Sequence, residues 1–210
     1  MMLRRAAMAV PLLAGLAPAA WALPPKRLSF PRDAGSHNDF ATEWWYLTGH
    51  AQVGGQAAAL GFQVTFFRSR VAATQNLQSR LAARQLLFAH AAVTNVAGRK
   101  LWHDQRIARW SGEPAGQHPA DTAWASEQDT GVQLRDWSLL RQGSDLLATI
   151  PAGDFRLDLR FQARQPVLLQ GRDGLSRKGP EEKQASYYYS LPQLAVSGSC
   201  LLYTSPSPRD

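Results

Sequence analysis

The stretch TEWWYLTGHAQVGGQAAALGFQVTFFR, residues 42–68, decides the fold class. Two runs rich in aromatic, β-branched and threonine residues flank Gly54-Gly55, and such a pair between such runs signals a β-hairpin. With those glycines as a two-residue loop, Val53 faces Gln56, and the register of the whole hairpin follows. Side chains alternate along a strand, so one face gathers Glu43, Trp45, Leu47, Phe62, Val64 and Phe66, with Arg68 diagonal to Glu43. The other face gathers Trp44, Tyr46, Thr48 and His50 with Gln63, Thr65 and Phe67. The first reads as a dry core closed at one end by a structural ion pair, Glu43 with Arg68, because a carboxylate among apolar groups is costly unless paired. The second reads in two ways. It suits the wall of a pocket for a long apolar ligand, with aromatic area for affinity and a few polar groups for orientation, and equally an outer face covered by a loop or a second domain.

Outward from the hairpin, the strand signal continues. LLFAHAAVTN (86–95) and KLWHDQRIARW (100–110) predict a second hairpin around Gly98, and the Gly-, Pro-, Asp- and Ser-rich residues 111–130 predict a long loop. GVQLRDWSLL, SDLLATIP, DFRLDLRFQA and PVLLQ supply four more short strands, while Gln78–Gln85 fits helix or loop equally. No run keeps a helical period over many turns, and no internal repeat is present. The class is therefore all-β. Sequential strands with tight turns predict an antiparallel meander closing into a β-barrel, which removes its edges; a sandwich is the alternative.

The two ends of the chain differ from its middle. Residues 1–22 have a basic start (Arg4, Arg5), an apolar run and a small-x-small site, Ala20-Trp21-Ala22, the pattern of a cleaved signal peptide. The apolar run is too short to span a bilayer and no cysteine follows it to carry a lipid, so the expectation is a periplasmic or secreted protein, not membrane-spanning after signal removal. Residues 23–199 then form the β-domain. Residues 200–210, CLLYTSPSPRD, resemble the one-frame translation of a sequencing-library adaptor, which reads as a non-native tail with the natural chain cut near Ser199.

Without those ends the net charge falls below the +7 of the whole sequence and the single cysteine, Cys200, is gone. A cysteine-free exported domain has neither disulfide nor thiol chemistry and relies on its core. Its arginines are scattered rather than striped, which speaks against nucleic acid as a partner.

Individual polar residues also admit plainer readings. His37, Asp39 and Glu43 have metal-like spacing at only chance level, so no metal is expected. Ser36-His37-Asn38-Asp39 makes a poor triad, since adjacent residues on an extended chain point opposite ways and no nucleophile elbow occurs. His90, alone among Phe88, Ala89, Ala91 and Ala92, reads first as a hydrogen-bonded core histidine and second as a ligand contact. Tyr187, Tyr188 and Tyr189 alternate across a strand, with at least one inward. Gly171–Gly179 lacks the Gly-Lys-Ser/Thr ending of a phosphate loop and reads as a loop at the barrel mouth.

Several stretches, taken in order, resemble one family: His37-Asn38-Asp39-Phe40, Thr42–Gly49, GFQVTFFR (61–68), Ala89-His90-Ala91, GLSRKG (174–179) and ASYYYSLPQL (185–194). They are similar to the hydroxyneurosporene synthase (carotenoid 1,2-hydratase) and AttH-like family. The resemblance implies a lipocalin-like (calycin) β-barrel, incomplete at the C-terminal end, with the natural chain continuing into a second β-domain. It implies either an exported protein linked to inner-membrane ABC transporter components, the branch that the signal peptide favours, or a hydratase adding water to an isoprenoid double bond without a cofactor. The expected ligand is lipophilic, a lipid or isoprenoid, with Trp44, Tyr46, His50, Gln63, His90 and Tyr188 as candidate contacts. Alkene hydration needs an acid that protonates carbon, and Asp39 and Glu43 are the weak catalytic candidates. A structural β-domain with no ligand is the third reading.

Overall fold

The computed structural model of the protein describes residues 23–53, 56–79, 81–181 and 184–203. The expected signal peptide, the Gly54-Gly55 turn and residues 204–210 of the expected tail lie outside the described residues. Strands follow one another almost without interruption: β1 (Thr42–Val53), β2 (Gln56–Arg70), β3 (Gln85–Asn95), β4 (Lys100–Trp110), β5 (Ala123–Ala125), β6 (Gly131–Leu134), β7 (Trp137–Gln142), β8 (Asp145–Pro151) and β9 (Phe155–Ala163). After these come β10 (Leu168–Leu169), β11 (Leu175–Arg177), β12 (Ala185–Tyr187), β13 (Tyr189–Ser190) and β14 (Leu194–Leu202). Two single-turn 3-10 helices, Arg32–Ala34 and Ala72–Thr74, are the only helical elements among the described residues. The chain is all-β, and both large sheets and the β11–β12 pair are antiparallel.

Two compact units are present. Among the described residues, one comprises Leu28–Leu168 with residues 191–203, the other Leu169–Ser190 with residues 23–27. The larger unit holds a four-stranded sheet in the order β1-β2-β3-β4 and a six-stranded sheet in the order β14-β9-β8-β7-β6-β5. No ladder joins β4 to β5, so among the described residues the meander does not close into one continuous barrel. The long link from Ser111 to Thr122 interrupts pairing at that point, and the two sheets share one core.

That core follows from strict alternation. Trp45, Leu47, Phe62, Val64, Phe66, Leu87 and Val93 point inward from the first sheet, and Val132, Leu139, Ile150, Phe155, Leu157 and Phe161 from the second. Phe62 meets Phe161 with ring centroids 6.0 Å apart in a tilted arrangement, and each such side chain stabilises the fold by about 1.5–3 kcal/mol when removed from water. Arg106 lies over the Trp137 ring at 5.0 Å, and Asp104 accepts the Gly153 N–H at 3.0 Å, so β4 is also tied to the second sheet by polar contacts.

The opening hairpin corrects the expected register while keeping its faces. Pairing runs from Thr42 opposite Ser69 to Ala51 opposite Leu60, with an irregularity between Ala51 and Val53 before Val53 meets Gln56. In that interval β2 advances by four residues while β1 advances by two. A shift of two residues preserves which side chains share a face. Glu43 therefore stands directly opposite Arg68, not diagonal to it.

Four further expectations about local structure change. GVQLRDWSLL is two strands, β6 and β7, reversing at Arg135-Asp136 with Arg135 at φ 56°. The predicted loop 111–130 contains β5, and the loop 171–179 contains β11, which pairs with β12 in the smaller unit. PVLLQ keeps only the two residues of β10 as strand. Strand β14 runs through Cys200, Leu201 and Leu202 of the expected tail, pairing them with Leu157, Arg156 and Phe155.

Candidate functional site

The densest polar constellation of the larger unit sits at one end of the first sheet, where residues 29–40 fold back over the β1–β2 hairpin. Arg68 is fully buried, and its guanidinium is ringed by acceptors. Nε donates to Glu43 Oε2 at 2.6 Å, Nη1 to Gln85 Oε1 at 2.7 Å, and Nη2 to the carbonyls of His37 and Phe40 at 2.9 and 2.8 Å. Glu43 in turn accepts the His37 backbone N–H at 2.8 Å, the Ser36 hydroxyl at 3.1 Å and His37 Nδ1 at 2.7 Å. The other ring nitrogen of His37, Nε2, lies 2.9 Å from Asp33 Oδ1, and the ring stacks on Phe40 at 5.0 Å.

This geometry fixes charge states. Both imidazole nitrogens face carboxylate oxygens, which only accept, so the doubly protonated imidazolium fits the site. The hydrogen bond to Glu43 raises the His37 pKa above its ordinary value, burial opposes that shift and Asp33 reinforces it. Burial pushes the Glu43 carboxyl upward, but the hydrogen bonds from His37 and the charge of Arg68 outweigh it and hold Glu43 below the usual range.

Chemically, the cluster is a clasp. Neither nitrogen of His37 is open to take a proton from a substrate, and Glu43 is held ionised with both oxygens engaged, the opposite of what a general acid requires. The clasp joins residues 29–40 to β1 and to the loop between β5 and β6. Trp45 Nε1 donates to the Ala34 carbonyl at 2.9 Å, Asn38 Nδ2 to Glu127 Oε1 at 2.7 Å, and the Ser36 N–H to the Ser126 carbonyl at 2.7 Å. Asp39, the other acid considered for catalysis, is exposed. Sequence reading identified Glu43 with Arg68 but missed Asp33 and His37 as their partners. Asp33 belongs to a single 3-10 turn, and the sequence carries no signal for how that turn folds back.

The candidate ligand contacts lie elsewhere. Trp44, Tyr46, His50, Gln63 and His90 all lie on the outer face of the β1–β4 sheet, away from the shared core. Register aligns a row across the four strands, Trp44, Phe67, Phe88 and Ile107. Phe67 and Phe88 stack at 4.7 Å, yet Trp44 is 40% exposed, Phe88 36% and Ile107 60%, and Tyr46 beside them is 51% exposed. Strands about 4.8 Å apart make this apolar row roughly 14 Å long. His90 is exposed rather than in the core, its ring tilted against Phe67 at 5.3 Å. Next to the row, the outer face dips into a hollow bordered by Gln63, His90, Ala92, His103 and Gln105. His103 was not among the residues singled out from sequence, although its place between the inward Trp102 and Asp104 marks it as outward.

Tyr188 belongs to the smaller unit. Its ring receives the Lys178 ammonium at 4.2 Å, and its backbone bonds to Gly174 and Gln170. Among the described residues no group of three or more His, Cys, Asp or Glu side chains is placed to hold a metal ion, and no helix is long and apolar enough to cross a membrane.

The AttH-like family model matches residues 21–206. The chain belongs to the AttH-like family. A crystal structure of a candidate AttH from Nitrosomonas europaea is 42% identical, with a TM-score of 0.72, covering 88% of this chain and 52% of its own. This AttH-like chain thus spans about half the length of that solved relative. No curated protein matches it. Neither matched description mentions a carotenoid hydratase. Several stretches that resemble the family, His37–Phe40, Thr42–Gly49 and 61–68, are the ones that build the AttH-like clasp and its hairpin.

Proposed function

We propose that this AttH-like chain is an exported, lipocalin-like protein that binds a lipophilic molecule, a lipid or isoprenoid, and serves an inner-membrane ABC transport system. The observation that carries the reading is the outward row Trp44, Phe67, Phe88 and Ile107, in which Trp44, Phe88 and Ile107 are exposed and Phe67 partly so, with the exposed Tyr46 beside it. Scattered single apolar residues on a surface need no explanation, but a contiguous aromatic row does, and such patches mark places where ligands, partners or membranes dock. Rigid rings offer large contact area at low entropic cost. The signal-like N-terminus supports export, and the resemblance that includes transporter-linked proteins supports the transport association.

Hydration of an isoprenoid double bond is the weaker reading. It requires a protonated acid near the ligand, whereas Glu43 is held ionised inside the clasp and Asp39 lies exposed. A ligand-free structural role is the remaining outcome of the test. The purified protein is exposed to an isoprenoid such as squalene and to a phospholipid, then examined by native mass spectrometry and tryptophan fluorescence. Retained ligand with an emission change that Trp44→Phe abolishes supports the proposal. A protein that stays empty under both conditions overturns it.

A further inference from the structure

We infer that the hollow bordered by Gln63, His90, Ala92, His103 and Gln105 is a head-group subsite that selects amphiphiles carrying anionic oxygens, a carboxylate or a phosphate. This rests on reading the outer face of the β1–β4 sheet as the ligand site, and it specifies the chemistry at one end of that site.

The register builds the hollow. Ala92 stands between Gln63 on β2 and His103 on β4, and the neighbouring row places His90 opposite Gln105. A methyl group flanked by amide and imidazole side chains leaves a depression whose rim carries hydrogen-bond donors. The apolar row begins one further step along the sheet, where Phe88 pairs with Phe67 and Ile107. Side chains two positions apart on a strand are separated by roughly 6.7 Å, so a molecule lying along the face meets aromatic surface first and donors next. That order matches an alkyl or isoprenoid body with a polar head.

Charge selects among heads. The outward positions of Thr42–His50, 61–69, 86–94 and 101–109 include His50, His90, His103 and Arg109 and not one carboxylate. Three of the five histidines of the sequence therefore share a face that lacks acids. Among the described residues, the imidazoles of His90 and His103 make no hydrogen bond, so their donors are available to a ligand. Asp104 also borders the hollow, but its carboxylate is occupied: Arg106 Nη1 lies 2.6 Å away, and the N–H groups of Gln105 and Gly153 donate to it at 2.7 and 3.0 Å. Oxyanions accept several donors at once, and charge-assisted hydrogen bonds are the strong ones.

The test uses the full chain and three probes of equal chain length, dodecanoate, dodecyl phosphate and dodecanol, each below its micelle concentration. Calorimetric titration is expected to show one or both anions binding about tenfold or more tightly than the alcohol, a difference worth about 1.4 kcal/mol. The exposed pair His90→Ala with His103→Ala is expected to bring the anion-to-alcohol affinity ratio close to one. The relative affinity of dodecanoate and dodecyl phosphate distinguishes a carboxylate from a phosphate head. Equal binding of anion and alcohol, or a preference that survives the double substitution, overturns the subsite while leaving the lipophilic site standing. If none of the three probes binds, the parent reading falls and the subsite with it.

Discussion

Glu43 and Arg68 face each other across β1 and β2, with Nε 2.6 Å from Oε2, and Arg68 has no exposed surface. A guanidinium taken out of water is tolerable only while its counter-charge and its carbonyl acceptors remain in place. Removing one member of such a buried pair leaves the other uncompensated. Glu43→Gln or Arg68→Met should each cost about 3–5 kcal/mol of folding stability, whereas the double substitution should cost clearly less than the two together. Urea denaturation of the four proteins measures the coupling, and additive losses would show that the two side chains do not support each other.

His37 makes that stability depend on pH. Its pKa is raised from the ordinary 6.5, chiefly by the hydrogen bond to Glu43, so its contribution is complete below 6.5 and disappears as pH rises through the raised value. Glu43 is lowered from 4.5 despite burial, so its contribution is complete above 4.5 and is lost as pH falls through the lowered value. The clasp is therefore strongest between pH 4.5 and 6.5. The stability advantage of the native chain over His37→Gln should shrink as the solution becomes alkaline. Paired denaturation curves across pH check it, with the His37 ring signal followed by NMR. An advantage that grows with alkalinity would contradict the assigned charge states.

Much of the architecture was legible because a period of two survives errors of register. The β1–β2 pairing departs by two residues from the one that Gly54-Gly55 implies, yet Trp45, Leu47, Phe62 and Phe66 still share the inner face. Features without a compositional mark stayed hidden. The reversal at Arg135-Asp136 contains no glycine, and β14 is built from small residues around Gly198, where an added Cβ would lie 2.0 Å from the Asp158 carbonyl oxygen. Closure is not legible in sequence for a different reason, since whether β4 pairs with β5 depends on the path of the intervening loop, which alternation does not encode. At the candidate site, Glu43 with Arg68 could be read from one hairpin. Asp33 and His37 could not, because their approach is set by the Ser36 to Ser126 and Asn38 to Glu127 contacts, made far along the chain.

Those same contacts make Gly35 a sensitive position. Its backbone has an ordinary φ of −83°, but a Cβ there would lie 2.8 Å from both the Glu127 carbonyl carbon and the Ser126 oxygen, and backbone cannot swing aside as a side chain can. Gly35→Ala should destabilise by about 1–3 kcal/mol through overpacking. At Gly116 nothing lies within 4 Å, so Gly116→Ala should cost only about 1–2 kcal/mol for its left-handed φ of +76°. Thermal melts of the two variants, read with the chemical shifts of the 126–127 loop, separate the causes. The loop should move in the first variant and not in the second.

Adjacent phenylalanines on β2 and its neighbour test the division of faces. Phe66 is fully buried in the core between the sheets, whereas Phe88 lies on the outer row and is 36% exposed. Phe66→Ala should cost about 3–5 kcal/mol, the usual penalty for emptying an aromatic position in a packed core. Phe88→Ser interrupts the exposed row and removes only partly buried area, so its cost should stay near 1 kcal/mol, the centre of the range for single substitutions. Its larger effect should appear in ligand retention, because the stacked contact with Phe67 at 4.7 Å is what makes the row continuous. Urea midpoints and native mass spectra of both variants decide the matter. If Phe88→Ser unfolds the protein as readily as Phe66→Ala does, the outer row is structural and cannot be a site held open for a ligand.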